Sequence, residues 1–285
     1  MPELPEVETI KRDLFKRILN HKIRLVEIRD KKIVKSNNFV KKLIGNEIKG
    51  IERRGKLLIF VLKNKEYLLV HLKMTGQLMF KAKNKSGNVI GGHSLTKMED
   101  NFSEKFTRVV IDFGVGKLFF NDMRRFGYMK IVGEEEKEKI ITKDFGIEPL
   151  TPDFTWDKFN KLFNKRTTSI KAFLLNQKII AGLGNIYADE ACFCAGIKPD
   201  RQVNNINLEE IKKLFKCIPK ILQLAIKNRG TTFNSFVDGD GQKGSHFNFL
   251  KVYGRHKEKC KRCSEKIKKI RLVGRGTHFC PGCQK

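Results

Sequence analysis

Cys260-x2-Cys263 and Cys280-x2-Cys283, sixteen residues apart, constrain this chain more than any other feature. Each pair can present two thiolates to one ion, and the two together make a tetrahedral four-sulfur site that suits zinc. Such a site has no open coordination position, so the metal is structural. Two disulfides are the alternative, and the reducing cytosol disfavours them. Between the pairs, Ile267 to Phe279 reads as a hairpin with Gly274-Arg275-Gly276 at its tip. Two glycines allow close backbone approach to another surface, and the arginine supplies charge, so the segment is expected to be a zinc ribbon touching nucleic acid. Cys192, Cys194 and Cys217 fall on predicted helices and are expected to be small core residues, not ligands or nucleophiles.

Charge narrows the partner. The chain of 285 residues carries 59 Lys and Arg against 31 Asp and Glu, a net +28. An AT-biased genome would raise lysine without clustering it. Residues 251–285 nevertheless hold twelve basic residues against Glu258 and Glu265. That clustering favours a polyanion, and with no amphipathic anchor beside it, nucleic acid over membrane. No apolar run is long enough to cross a bilayer, and the acidic start MPELPEVETI lacks the basic and apolar regions of a secretory signal, so the cytosol is the expected location.

The apolar pattern divides the chain. Val7, Ile10, Leu14 and Ile18 follow helical spacing, with Pro5 suited to the first turn. From about 22 to 132 the pattern becomes short strands, at 23–28, 57–62, 67–72, 77–80, 109–113, 117–121 and 128–132, which indicates a sandwich or barrel. Residues 84–105 read as a polar surface loop. After Pro149 and Pro152 come helices near 156–164, 168–178, 185–195 and 207–227, then a Gly- and Asp-rich loop. The expectation is an α+β chain: a β-sandwich domain at 1–135, a helical domain at 136–248 and the zinc ribbon at 249–285.

The start of the chain carries chemistry. With Met1 removed, Pro2 exposes a secondary amine. An α-amino group has a pKa of roughly 8, and the positive end of a helix beginning nearby lowers it further. Such an amine can attack an aldehyde-like sugar carbon to form a Schiff base, with Glu3 and Glu6 beside it as proton carriers. Alone, an ordinary proline-primed helix start explains the same residues.

The other blocks decide between these readings. PELPEVET at 2–9, RRGKLL at 53–58, HLKMTG at 71–76, DMRRFG at 122–127, EPL at 148–150, GLGNIYADEA at 182–191, AGIKP at 195–199, GTT and VDGDGQKG within 230–244, VYGR at 252–255 and GRGTHFCPGC at 274–283 run nearly end to end. In this order the chain resembles the formamidopyrimidine-DNA glycosylases, bacterial base-excision repair enzymes of the helix–two-turn–helix superfamily. Leu4 favours this branch over the endonuclease VIII branch, which typically starts Pro-Glu-Gly-Pro.

The resemblance implies an N-terminal β-sandwich with flanking helices, a helix–two-turn–helix domain and a zinc ribbon. It implies a glycosylase and abasic-site lyase acting, as a monomer, on double-stranded DNA containing oxidised purines, with zinc as its one cofactor. Pro2 would attack C1′, Glu3 would protonate the opening sugar, Lys56 would donate a proton in β-elimination and Arg275 in δ-elimination. Met74, Arg124 and Phe126 would fill the void left by the everted nucleotide. His71, Arg166, Lys171, Asn185, Tyr253 and Arg275 would contact DNA, and the loop at 232–245 would cover the everted base. Three departures stand out: Met123 replaces a usual proline, Phe106 replaces a common DNA-contacting histidine with Arg108 as a possible substitute donor, and Thr167 replaces a frequent lysine beside Lys165 and Arg166. A non-enzymatic zinc-ribbon binder would explain the charge and the cysteines, but not a proline at position 2 followed by acids. Oxidised pyrimidines remain the alternative substrate within the enzyme class.

Overall fold

The computed structural model describes residues 1–83, 89–92, 104–164, 166–231 and 245–285. Lys165, residues 84–88 and 93–103 of the expected 84–105 loop, and residues 232–244 of the Gly-rich loop lie outside them; residues 89–92, expected in that loop, form a strand instead. The chain folds as two compact units, Met1–Ile141 with Asn228–Phe247, and Thr142–Lys227 with Asn248–Lys285.

In the first unit, helix α1 (Leu4–Ile18) is followed by β1 (Leu25–Ile28), α2 (Phe39–Leu43), β2 (Ile48–Arg54), β3 (Leu57–Leu62), β4 (Tyr67–His71), β5 (Gly76–Ala82), β6 (Val89–Gly92), β7 (Thr107–Asp112), β8 (Gly116–Asp122) and β9 (Tyr128–Val132); α3 (Glu134–Asp144) leads out. The strands form two antiparallel sheets, ordered β1-β7-β8-β5-β6 and β2-β3-β4-β9. Alternate residues of both face one core: Leu78 and Phe80, Val109 and Ile111, Leu118 and Phe120 from the first, Leu58, Phe60, Leu68 and Val70 from the second. That period of two, shared across two sheets, is the signature of a sandwich. Helix α1 buries Val7, Ile10, Leu14 and Ile18 in the same core, the stripe read from its spacing.

Strand β2 is absent from the sequence reading. Its pairing with β3 shifts register between Ile48 and Gly50, and this bulge breaks the alternation a strand shows in sequence. Residues 228–247, grouped with the helices on sequence grounds, belong to the first unit. The reason is local: Arg229 ion-pairs with Asp13 at 2.7 Å and the Thr231 N–H donates to Glu6 Oε1 at 2.8 Å, both on α1.

The second unit holds α4 (Trp156–Lys161), α5 (Ile170–Leu175), α6 (Asn185–Ala195), α7 (Leu208–Lys227) and the hairpin β10 (Lys268–Leu272) and β11 (Arg275–Phe279). The ribbon does not stand alone: Val252, Cys260, Ile267 and Cys280 share a small apolar cluster with Phe193 of α6. The hairpin turn is Val273-Gly274, both at positive φ, as a two-residue turn between twisted strands requires. Arg275 is therefore the first residue of β11, paired with Leu272, one step beyond the expected tip.

Two cysteines depart from expectation. Cys192 is a free, fully buried thiol, and burial pushes its pKa up. Cys194 and Cys217 form a disulfide joining α6 to α7. A separation of 23 residues carries no local signal, and the expected reducing location argued against a bridge. Closing a loop of that length contributes about 3 kcal/mol in the chain-entropy account. Reduction with dithiothreitol, or Cys194→Ala, is expected to lower the melting temperature of the helical unit by roughly 10 °C. Equal melting with and without reductant would show the bridge to be dispensable.

Candidate active site and nucleic-acid interface

Charged side chains are seldom buried without a task. In the first unit Glu3, Glu6, Glu8 and Lys56 are all buried, clustered at the start of α1 and at the β2–β3 turn. Pro2 is buried just ahead of the helix, and Glu3 is its N-cap residue. Glu6 Oε2 accepts the Glu3 N–H at 2.8 Å, while its other oxygen accepts the Thr231 N–H. A Cβ on Gly230 would come within 2.9 Å of Glu6 Oε1, and its φ of +83° also favours glycine. Both Glu6 oxygens thus hold backbone, so this carboxylate positions Glu3 and the segment entering the Gly-rich loop. Glu3 is held in the same way, its carboxylate accepting the Glu6 N–H in a reciprocal capping box.

Lys56 follows the turn at Gly55, whose φ is +54°. Arg53 ties that turn to α1: its Nε donates to Glu8 Oε2 at 3.0 Å and its Nη1 to the Gly55 carbonyl at 3.0 Å. Burial is the largest influence on Glu8 and opposes its charge, but Lys11 and Arg53 outweigh it and hold the carboxyl below its usual range. One part-buried ion pair therefore connects the element carrying Pro2 and Glu3 to the turn carrying Lys56.

His71, at the end of β4, is pushed down to about 3 by burial, with Lys73 and Lys56 adding repulsion. Its Nδ1 accepts the Lys73 N–H at 3.0 Å. The ring is then neutral with its proton on Nε2, a donor suited to a phosphate oxygen. Met74 is half-buried in the β4–β5 turn, while Arg124 and Phe126 are exposed in the β8–β9 loop. Phe126 is 52% exposed, and the Arg124 guanidinium lies 4.6 Å from its ring centre. An exposed phenylalanine beneath an arginine is not core packing. Phe106 is half-buried, and Arg108 donates to the Asp122 carbonyl at 2.8 Å, which holds it on the protein.

In the second unit Asn185 opens α6, after a turn held by Gln177, whose side chain bonds the Leu183 carbonyl at 2.7 Å and the Gly182 N–H at 2.9 Å. Asn185 Nδ2 donates to the Gly276 carbonyl at 3.0 Å and to the Tyr253 hydroxyl at 3.4 Å. Asn185, Tyr253 and the start of β11 are thus gathered, with Arg275 exposed beside them. Arg166 is half-buried and donates to the Leu162 carbonyl.

Lys171 is a correction. Expected at a phosphate, it is 0% exposed, 2.7 Å from Asp189 Oδ1 and 2.8 Å from Thr277 Oγ1, with its ammonium also on the Gly276 carbonyl. An ammonium so enclosed and neutralised cannot reach DNA; it anchors the hairpin from which Arg275 projects. Asp189 and Glu190 continue that anchoring, and neither was visible in the sequence reading. Asp189 accepts the His278 N–H, and Glu190 accepts the N–H groups of Lys251, Val252 and Tyr253 at 2.9 Å. Burial raises the Glu190 pKa against the pull of those donors.

The four ribbon cysteines bring their sulfurs within 4.8 Å of one another, with Cys260–Cys283 at 3.8 Å and Cys263–Cys280 at 3.3 Å. Zn–S bonds of about 2.3 Å in a tetrahedron separate sulfurs by about 3.8 Å. The Arg262 N–H donates to Cys260 Sγ, the support a metal-bound thiolate needs. The donor set fits one structural zinc.

Comparison with known proteins agrees along the chain. Residues 1–129 match the formamidopyrimidine-DNA glycosylase N-terminal domain, 145–237 its H2TH domain, and 257–285 a zinc finger found in FPG and IleRS. Formamidopyrimidine-DNA glycosylase of Carboxydothermus hydrogenoformans is 41% identical over 288 residues, covering both chains fully. That of Listeria monocytogenes is 40% identical over 292 residues, again covering both. A crystal structure of Lactococcus lactis Fpg with DNA containing an abasic site superposes with a TM-score of 0.85 at 37% identity over 99% of each chain. Its complex with Fapy-dG DNA gives 0.85 at 36%, over 99% of this chain and 100% of that one. On sequence, fold and zinc ribbon together, this chain belongs to the formamidopyrimidine-DNA glycosylase family.

Proposed function

We propose that this chain excises oxidised purines, 8-oxoguanine and formamidopyrimidines, from duplex DNA and then cuts the abasic site by β,δ-elimination. The observation that carries the mechanism is the buried Pro2–Glu3 step at the start of α1, tied through Glu8 and Arg53 to the turn of the buried Lys56. The Pro2 nitrogen attacks C1′ as the glycosidic C–N bond breaks and the base departs with its electron pair. Glu3 protonates the sugar ring oxygen, which leaves C1′ as an iminium carbon. A C2′ proton then passes to solvent as the C3′–O bond breaks and the 3′ phosphate departs with the electron pair, with Lys56 as the proton donor linked to this step, and Arg275 serves the second elimination. Glu6 holds the Glu3 backbone. Met74, Arg124 and Phe126 fill the void, while His71, Arg166, Asn185, Tyr253 and Arg275 contact DNA.

In this reading residues 1–141 with 228–247 supply the chemistry, 142–227 the helical DNA grip and 248–285 the ribbon. The enzyme works as a monomer in the cytoplasm, on the nucleoid. No described helix is long and apolar enough to cross a membrane. Borohydride reduction during reaction with an 8-oxoguanine duplex tests the assignment: a covalent adduct on the N-terminal peptide is expected, and an adduct on any lysine would overturn it.

Salt dependence separates the basic residues. Each neutralised phosphate contributes about −0.9 to the slope of log affinity against log salt. Arg275→Ala is expected to flatten the slope by roughly one. The double variant Lys171→Met with Asp189→Leu, which removes the buried pair together, is expected to change the slope no further than misplacing Arg275 does, because the Lys171 charge is already paired with Asp189. His71→Ala is expected to weaken binding, because its Nε2 donor is lost. A slope flatter in the double variant than in Arg275→Ala would return Lys171 to the phosphate.

A further inference from the structure

We propose that Asp122 is a positioning residue that locks the two void-filling loops into one unit. The inference rests on reading Met74, Arg124 and Phe126 as the residues that occupy the opened duplex. Asp122 ends β8 opposite Gly76 at the start of β5 and is 0% exposed. Its Oδ1 accepts the Thr75 hydroxyl and the Arg124 N–H, the latter at 3.1 Å. Its Oδ2 accepts the Gly127 N–H at 2.7 Å. The Thr75 hydroxyl oxygen accepts the same Arg124 N–H at 3.1 Å, which closes the network. One carboxylate thus holds the residue after Met74, the backbone of Arg124 and the residue after Phe126.

Both loops need such a lock. Lys73 and Arg125 sit at φ of +49° and +58°, left-handed conformations that non-glycine residues keep only when their surroundings over-determine them. A Cβ on Gly127 would fall 2.9 Å from the His71 carbonyl and 3.1 Å from Asp122 Oδ2, so the loops also meet at that glycine. Side chains that must enter a base stack together, against a cost of a few kcal/mol for extrusion, gain from being fixed in advance.

The test compares excision of 8-oxoguanine from duplex DNA with cleavage at a preformed abasic site, alongside melting temperature and 2-aminopurine fluorescence beside the lesion. Asp122→Asn keeps the shape but presents an N–H₂ to a donor. Thr75→Val removes the hydroxyl at constant volume. Both are expected to slow excision at least about tenfold, the scale of one lost charge-assisted hydrogen bond. Both should blunt the fluorescence rise and leave abasic-site cleavage within about threefold, since that substrate has no base to extrude. Thr75→Ser restores the hydroxyl and the excision rate. Equal losses on both substrates with a lowered melting temperature would overturn the proposal, leaving Asp122 a fold residue. So would normal excision in both variants while Met74→Ala and Phe126→Ala slow it. If Met74→Ala and Phe126→Ala excise normally, the void-filling reading falls and this proposal with it. If Asp122→Asn does not fold, the Thr75 pair decides.

Discussion

A chain that keeps Met1 is expected to lose base excision and strand cleavage together, by several orders of magnitude, while folding normally. With Met1 attached, the Pro2 nitrogen is a tertiary amide whose lone pair is delocalised into the carbonyl, so it has nothing to offer a sugar carbon. Free, it is a secondary amine with a pKa of roughly 8 before any perturbation. Helix α1 begins at Leu4, and the positive end of its dipole favours the neutral amine further. Pro2→Gly is milder: it keeps an amine but exchanges a constrained secondary one for a primary one on a looser terminus. Mass spectrometry of the N-terminus, paired with excision, abasic-site cleavage and borohydride trapping on the same preparation, checks the expectation. Full activity with Met1 demonstrably present would remove Pro2 from the mechanism.

What the sequence disclosed, and what it hid, follows the range of each interaction. Helix α1, the strands β3, β4 and β9 and the ribbon were legible because their signals are local: spacing of 3.6 or 2, or a cysteine pair two residues apart. Strand β2 was not, because the bulge at Ile48–Gly50 interrupts its period. Site residues divide the same way. Pro2, Glu3 and Lys56 sit in short blocks that are legible through the resemblance those blocks carry, not through their residue types alone. Positioning groups were not legible. Asp122 lies in the DMRRFG block, yet nothing local shows that it reaches Thr75, 47 residues away in sequence. Gln177, Asp189 and Glu190 read as ordinary polar helix or turn residues. Lys171 was placed at a phosphate by the resemblance alone, and only the fold reveals the buried Asp189 that neutralises it. The Cys194–Cys217 bridge likewise joins two helices that no spacing relates.

Loss of the zinc is expected to unfold the ribbon and abolish DNA binding while the sandwich stays intact. The ribbon has little else to hold it. Strand β10 exposes most of its residues, and the apolar cluster beneath the knuckles consists of Val252, Cys260, Ile267 and Cys280 around the Phe193 ring. Two of those side chains are metal ligands. Zinc binding in small four-ligand sites contributes about 10–16 kcal/mol at neutral pH, comparable to the whole stability of an ordinary domain. Cys280→Ser removes one thiolate and leaves an incomplete, open site. Once β11 frays, Lys171 and Asp189 lose Thr277, the Gly276 carbonyl and the His278 N–H, so a buried ion pair surrenders the hydrogen bonds that offset its desolvation. Asn185 loses Gly276 as well, which scatters the group that gathers beside Arg275. Damage should therefore spread into α5 and α6 but not into the sandwich, whose core contains no ribbon residue. Elemental analysis should give one zinc per wild-type chain and none in Cys280→Ser or after chelation. Circular dichroism should then show the β signal and its melting transition retained as DNA affinity collapses. A metal-free protein that binds lesion-containing duplex normally would show that the fold alone, and not the ion, presents Arg275.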